Sequence, residues 1–254
     1  MTFKINIIDV DTFEEVLSQD GFLSSLKENV YIVKQMFSPD TINFVKSQCE
    51  QLEKLNPASW NPCVDHCPDY HRKHYNYPKA YVKSIQHAYY FHRWNGNCQL
   101  FSTFYRIFEW KAKLAESSSA ETYLSHVPSD GPIARIVVHH YPKGGGGQEE
   151  HIDPESPYAR IQTIVQASVP GRDFSQGGLY INSETTGKAY LDGLTIQGDL
   201  IVMSPAIKHG VESIHSEQSL DWESKEGRWI IMPIIINSDV NPDEYGKPQG
   251  LGKQ

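Results

Sequence analysis

The residues with the clearest chemistry are His151 and Asp153, which close the stretch HHYPKGGGGQEEHIDP from His139 to Pro154. Side chains alternate along an extended strand, so a His-x-Asp pair presents an imidazole and a carboxylate on one face. A third donor follows in the chain, His209 within GDLIVMSPAIKHGVESI. Two histidines and one carboxylate leave three positions open on an octahedral metal, which suits an ion that must take up reactants. A closed structural zinc site uses four ligands, commonly with cysteine, and none of Cys49, Cys63, Cys67 and Cys98 lies near this trio in the sequence. Each imidazole also has an ordinary reading: His151 a loop residue beside Glu149 and Glu150, His209 a turn residue. Their agreement in order, on strand-like segments, separates a site from coincidence.

Those side chains need a rigid sheet. From Ala134 onward the period is that of strands: Ala134 to Tyr141, Arg160 to Val169, Gly177 to Ile181, Gly198 to Ser204 and Arg228 to Ile236 are β-branched or alternating, with Gly, Pro and Asn turns between them. The first half reads differently. Ser38-Pro39-Asp40 is a helix start with Ser38 as N-cap, and Ile42, Val45, Cys49 and Leu52 form its apolar stripe. Leu100, Phe104, Ile107, Phe108, Leu114 and Ala115 predict a second long amphipathic helix. Residues Asn56 to Tyr77, rich in Pro, His and Cys, read as a long irregular loop, a candidate lid. Cys63, His66, Cys67 and His71 lack the paired spacing of strong zinc signatures, and a second metal there is left open. Tyr81 to Trp94 is aromatic, either core or a pocket wall carrying Lys83 and Arg93. Helices first and strands second predict a mostly β fold with flanking α, an antiparallel sheet system braced by the N-terminal helices. The expected organisation is a single domain over 1–254, with helical support and lid loop in 1–130 and the β core in 131–240. The tail from Asn241 is expected to be loose.

The 254 residues carry 39% hydrophobic and 21% charged side chains, the balance of a globular protein. A net charge of -8 weighs against nucleic acid as a partner. The N-terminus has neither a secretory apolar region nor a membrane span, so a cytoplasmic protein with reduced thiols and no membrane partner is expected. Oligomeric state is not legible.

The order and spacing of these pieces over about residues 131 to 237 resemble the Fe(II)/2-oxoglutarate-dependent dioxygenases. The matching pieces are Tyr141 and the Gly-rich turn before His151-x-Asp153, Gly177-Gly178-x-Tyr180, Gly198-Asp199-Leu200 before His209-Gly210-Val211, and Arg228 opening the last strand. His209 follows His151 by 58 positions and Arg228 follows His209 by 19, both similar to the family. The Phe37-Ser38-Pro39-Asp40 helix entry is similar to the phytanoyl-hydroxylase and prolyl-hydroxylase branches.

The resemblance implies a double-stranded β-helix, a cupin-like jelly roll, with Fe(II) held by His151, Asp153 and His209. Arg228 would anchor the distal carboxylate of 2-oxoglutarate, a task suited to a planar, permanently charged fork. Relatives with an RxS pattern place Ser two residues beyond this arginine, whereas Ile230 stands here, so the second bond to the cosubstrate falls to Tyr141, Gln162 or Thr163. Fe(II), 2-oxoglutarate and O2 would oxidise, most simply hydroxylate, a C-H bond of a small metabolite, releasing succinate and CO2. Halogenating relatives replace the carboxylate ligand by a small residue, so Asp153 implies hydroxylation, desaturation or ring formation. Gln148, Glu150 and Arg93 are the candidate substrate residues, with an amino acid or amine as the expected class. The alternatives are a peptidyl hydroxylase and a cupin-like protein that holds metal and keto acid without turnover.

Overall fold

The computed structural model describes residues 2–55, 58–76, 82–117, 119–238 and Val240. In chain order the elements are β1 (Lys4–Ile8), α1 (Val10–Leu17), α2 (Phe22–Ser25), β2 (Asn29–Val33), α3 (Pro39–Leu55), β3 (Tyr70–Tyr75), β4 (Ser84–His92), α4 (Cys98–Thr103), α5 (Tyr105–Leu114) and α6 (Glu121–Ser125). The strand half follows: β5 (Ile133–Pro142), β6 (Gly146–His151), β7 (Gln162–Gln166), β8 (Gly178–Ser183), β9 (Gly187–Tyr190), β10 (Leu200–Met203), β11 (His209–Ile214) and β12 (Gly227–Ile236).

Strands β5 to β12 pair antiparallel in two groups. One runs β10-β7-β12-β5 and the other β6-β11-β8-β9. Consecutive strands from β5 to β8 thus alternate between groups, which is the winding of a double-stranded β-helix. The N-terminal half extends the first group at both ends. Parallel strands β1 and β2 continue it beyond β10, and β4 and β3 continue it beyond β5. Strand β4 also joins the two groups, because Ser84 and Ile85 pair with Gln148 and Gly147 of β6 while His87 to His92 pair with β5.

Alternation assigns the two faces. Along β12, Trp229, Ile231 and Ile235 pack with the helix-side core, whereas Ile230 and Met232 join the core inside the barrel. Along β5, Ala134, Ile136 and Val138 face the helices and Val137 and Tyr141 face inward. Strands buried on both faces read as unbroken apolar runs, and β12 has that character from Trp229 to Ile236. Helix α3 begins as its sequence predicts: the Thr41 amide donates to Ser38 Oγ at 3.2 Å, and Ile42, Val45, Cys49 and Leu52 are buried.

Two expectations are corrected. The second long helix is two, α4 and α5, broken at Phe104, whose φ of -104° and ψ of 12° leave the helical region. The irregular loop holds β3 from Tyr70 to Tyr75, paired along its length with β4. Tyr70, His71 and His74 are buried and Lys73 and Tyr75 exposed, and with a mostly polar buried set no apolar period betrays the strand. The aromatic stretch forms strand β4 and is largely core, one of the two readings its sequence allows. Of the loop and tail expectations, residues 56, 57, 77 and 241–254 lie outside the described residues, as does Tyr81. No helix among the described residues is long and apolar enough to cross a membrane.

Candidate metal centre and its cavity

His151 ends β6 and His209 begins β11, and the antiparallel register sets them directly opposite each other. Their rings lie 4.3 Å apart between centroids. Each Nδ1 meets a backbone oxygen two residues earlier, His151 with Glu149 O and His209 with Ile207 O, both at 2.8 Å. A proton on Nδ1, donated to that backbone oxygen, is the arrangement in which imidazole presents Nε2 to a metal. Asp153 sits just beyond β6, its amide donating to Pro205 O at 2.9 Å. Its Oδ1 is 3.5 Å from His151 Nε2, and its Oδ2 is 3.6 Å from His209 Nε2. The Gln162 amide donates to Asp153 Oδ2 at 2.6 Å, orienting the carboxylate from β7. Burial acts to raise the Asp153 pKa, but the His151 hydrogen bond and the two histidines hold it below the usual carboxylate value. Burial lowers that of His209. Three donor atoms thus converge within one ion's reach.

The trio opens on a cavity of about 300 Å³. Its walls include His139, Tyr141, Gln148, Gln162, Arg228 and Lys111. Arg228 is completely buried, and part of its fork is in use. Its Nε and Nη2 donate to Asp192 Oδ2 and Oδ1 at 2.6 and 2.9 Å. Asp192 also accepts from Gln166 Nε2 at 2.8 Å and from the Leu179 amide at 2.6 Å. Gly178 makes room for it: at φ +117°, an added Cβ would lie 2.4 Å from Asp192 Oδ2. Nη1 of Arg228 has no hydrogen-bond partner among the described residues. A buried, orphaned guanidinium nitrogen on a cavity wall is a vacancy for an anion's oxygen.

The other sequence candidates separate. Tyr141 lines the cavity beneath Arg228, its hydroxyl donating to Gln148 Oε1 at 2.8 Å. Gln162 lines it too, but its amide is turned to Asp153. Thr163 does not: alternation along β7 turns it away, and its hydroxyl donates to Pro233 O at 3.2 Å. Glu150 is exposed and accepts from Asn182 at 2.7 Å, and Arg93 lies in a short turn after β4; neither borders the cavity. His139 lines it, while His140 faces the helices and stacks on Trp229. Cys63, His66, Cys67 and His71 do not converge. Cys63 and Cys67 meet His92, and His71 meets His87 and Glu53. His92 is spoken for, its Nδ1 3.2 Å from Asp69 Oδ1 and its Nε2 accepting from Arg135 Nη2 at 2.8 Å.

Two groups escape a reading of the sequence, Asp192 and Lys111. Asp192 has no motif around it. Lys111 does leave a trace, because it falls four residues after Ile107 on the apolar stripe of α5.

A double-stranded β-helix with two imidazoles and a carboxylate at one end of its barrel defines a class of protein, and the class fits the observed chain in topology. No family profile matches the sequence, nor does any curated protein sequence. The solved structures it is similar to include a Pseudomonas putida prolyl-4-hydroxylase, with a TM-score of 0.51 at 10% identity over 85% of this chain and 96% of that one. A Trichoplax adhaerens prolyl hydroxylase in complex with a hypoxia inducible factor peptide fragment gives 0.47 at 12% identity over 89% and 93%. The alpha ketoglutarate dependent epimerase SnoN from nogalamycin biosynthesis gives 0.47 at 9% over 90% and 84%. The chain therefore has a double-stranded β-helix fold, shown by its own strand order and shared with the first of these.

Proposed function

We propose that the protein is an Fe(II)- and 2-oxoglutarate-dependent oxygenase that oxidises a C-H bond of a small molecule. The observation that carries this reading is one cavity holding both halves of the requirement: a converging His151, Asp153, His209 donor set, and the orphaned Nη1 of a buried arginine. The donor chemistry fits ferrous iron with positions left for reactants. The second vacancy fits a dicarboxylate whose far end needs a cationic hydrogen-bond donor.

In this reading His151, Asp153 and His209 are the metal ligands. Arg228 receives the distal carboxylate of 2-oxoglutarate through Nη1, with Tyr141 beside it. Bound ferrous iron supplies the redox chemistry that couples decarboxylation of 2-oxoglutarate to succinate and CO2 with oxidation of the substrate by O2. The chain's own contribution is placement. Glu149 O and Ile207 O hold the imidazole tautomers, Gln162 holds the Asp153 carboxylate, and Asp192 fixes the plane of the guanidinium. Apolar walls from Val137, Ile164, Ile230 and Met232 exclude water from the reacting centre.

A cavity near 300 Å³ stands at the small end of ligand sites, which supports a small substrate over a peptide laid in a groove. Retention of Asp153 supports hydroxylation, desaturation or cyclisation. The test is consumption of O2 with release of succinate by the Fe(II)-loaded protein, first with 2-oxoglutarate alone and then with a panel of small metabolites. Metal and keto acid binding without succinate under any condition would instead support a non-catalytic binding protein.

A further inference from the structure

Lys111 is the charged group that the proposed chemistry leaves unused. It is 3% exposed, lies on α5 where that helix packs on β12, and lines the same cavity as His151, Asp153 and His209. Its Nζ donates to Ile161 O at 2.8 Å. Ile161 precedes Gln162, whose amide holds Asp153, so the ammonium belongs to the metal end of the cavity. An ammonium has three donors and no acceptor, and Ile161 O satisfies one. No carboxylate forms an ion pair with it among the described residues. Burial pulls its pKa down to about 7, with the charge of Asp153 opposing. A cation placed there without a counter-charge costs stability, and the cost is recovered when an anion arrives.

The remaining charges do not compete for that role. Arg228 is neutralised by Asp192, and its one vacancy serves the cosubstrate. Of the acidic groups near the metal strand's mouth, Glu150 is outside the cavity, paired with Asn182, and Glu149 is outside it beside Lys83, while Glu155 borders the cavity but is exposed to solvent. Beside Lys111, which meets Ile161 O, the cavity lining includes Tyr158, Ile235 and Ile236 and the polar Glu155, Ser156 and Asn237. Lys111 and Arg228 are the lysine and arginine of that lining, and Lys111 is the one with no carboxylate partner among the described residues.

We infer that Lys111 binds the anionic group of the substrate that is oxidised, and that this substrate is a small monocarboxylate with an apolar body. One ammonium with two available donors matches one carboxylate, which argues against a phosphate dianion. The inference rests on the oxygenase reading of the cavity and reverses the amine class expected from the sequence.

The experiment measures binding, not turnover. Straight- and branched-chain monocarboxylates of about four to eight carbons, with the matching primary amides and amines, are titrated into the protein loaded with redox-inert Zn(II). The wild type should bind one or more of the acids and neither of the neutral or cationic counterparts. Lys111→Met, which keeps the length and loses the charge, should weaken that acid about tenfold or more. Lys111→Gln, which keeps a donor for Ile161 O, serves if the Met variant does not fold, and should weaken it similarly. Lys111→Arg should recover part of the affinity. Equal binding by wild type and a folded Lys111→Gln, preference for amines, or no acid bound by the wild type would each overturn the assignment. The oxygenase reading is judged separately, by whether the wild type with Fe(II) binds 2-oxoglutarate anaerobically.

Discussion

The Asp192–Arg228 pair offers a sharp energetic test. Both residues are buried, Arg228 at 0% and Asp192 at 4% exposure, and four donors converge on the one carboxylate. In Asp192→Asn the shape is kept, but the negative charge is lost and one acceptor oxygen becomes an NH2 facing donors. Removing one partner of a buried pair costs about 3–5 kcal/mol, because the other charge stays behind in a low dielectric. For a chain of this size each kcal/mol lowers the melting temperature by about 2–4 °C, so a fall of roughly 6–20 °C is expected. Urea denaturation and thermal melts of the apoprotein measure it. The control is Lys143→Ala, which breaks the exposed 2.6 Å Lys143–Glu226 pair and should cost about 1 kcal/mol or less. Equal losses for the two variants would refute the view that Asp192 holds a buried guanidinium in place.

Other outcomes follow from the same geometry. Gly178→Ala sets a Cβ 2.4 Å from Asp192 Oδ2 at a positive φ, and should destabilise by more than about 1 kcal/mol while weakening 2-oxoglutarate binding, both readable from melts with and without the ligand. Thr163→Val should cost about 1 kcal/mol at most in urea melts and leave 2-oxoglutarate affinity unchanged, since its hydroxyl meets only Pro233 O on the far side of β7. Burial pulls the pKa values of His71 and His74 down to about 4 and that of His87 to about 3. The unfolded chain, titrating near 6.5, binds these protons first, so stability is full above pH 6.5 and falls as pH drops toward 4. Urea midpoints at pH 7.5, 6.5 and 5.5 should decline accordingly, and His74→Phe should flatten the decline.

How much of this was visible in the chain depends on what carried the signal. That His151, Asp153 and His209 lie together was legible from strand alternation and chain order, with the register of His209 opposite His151 supplying the proximity, whereas Arg228 stood out only through the family resemblance. Helix α3 was legible because its cap and its stripe agree. Strand β3 was not, because its buried positions are Tyr70, His71 and His74, which follow no strand period and whose burial depends on partners that β4 and α3 provide. Choosing between Gln162 and Thr163 needed the phase of β7, which an alternating sequence fixes only once one residue is known to face in. Asp192 and Lys111 acquire meaning only from neighbours distant in the chain, Arg228 for one and Ile161 for the other.

The central claim is that one cavity holds ferrous iron and 2-oxoglutarate together. Its most direct test is an anaerobic titration of the Fe(II)-loaded protein with 2-oxoglutarate, followed by visible absorption, with Asp153→Ala and Arg228→Ala alongside. A weak charge-transfer band in the wild type that is lost in Asp153→Ala, and that needs far more 2-oxoglutarate in Arg228→Ala, is the predicted result. A wild type that stays colourless and binds no 2-oxoglutarate would contradict the account.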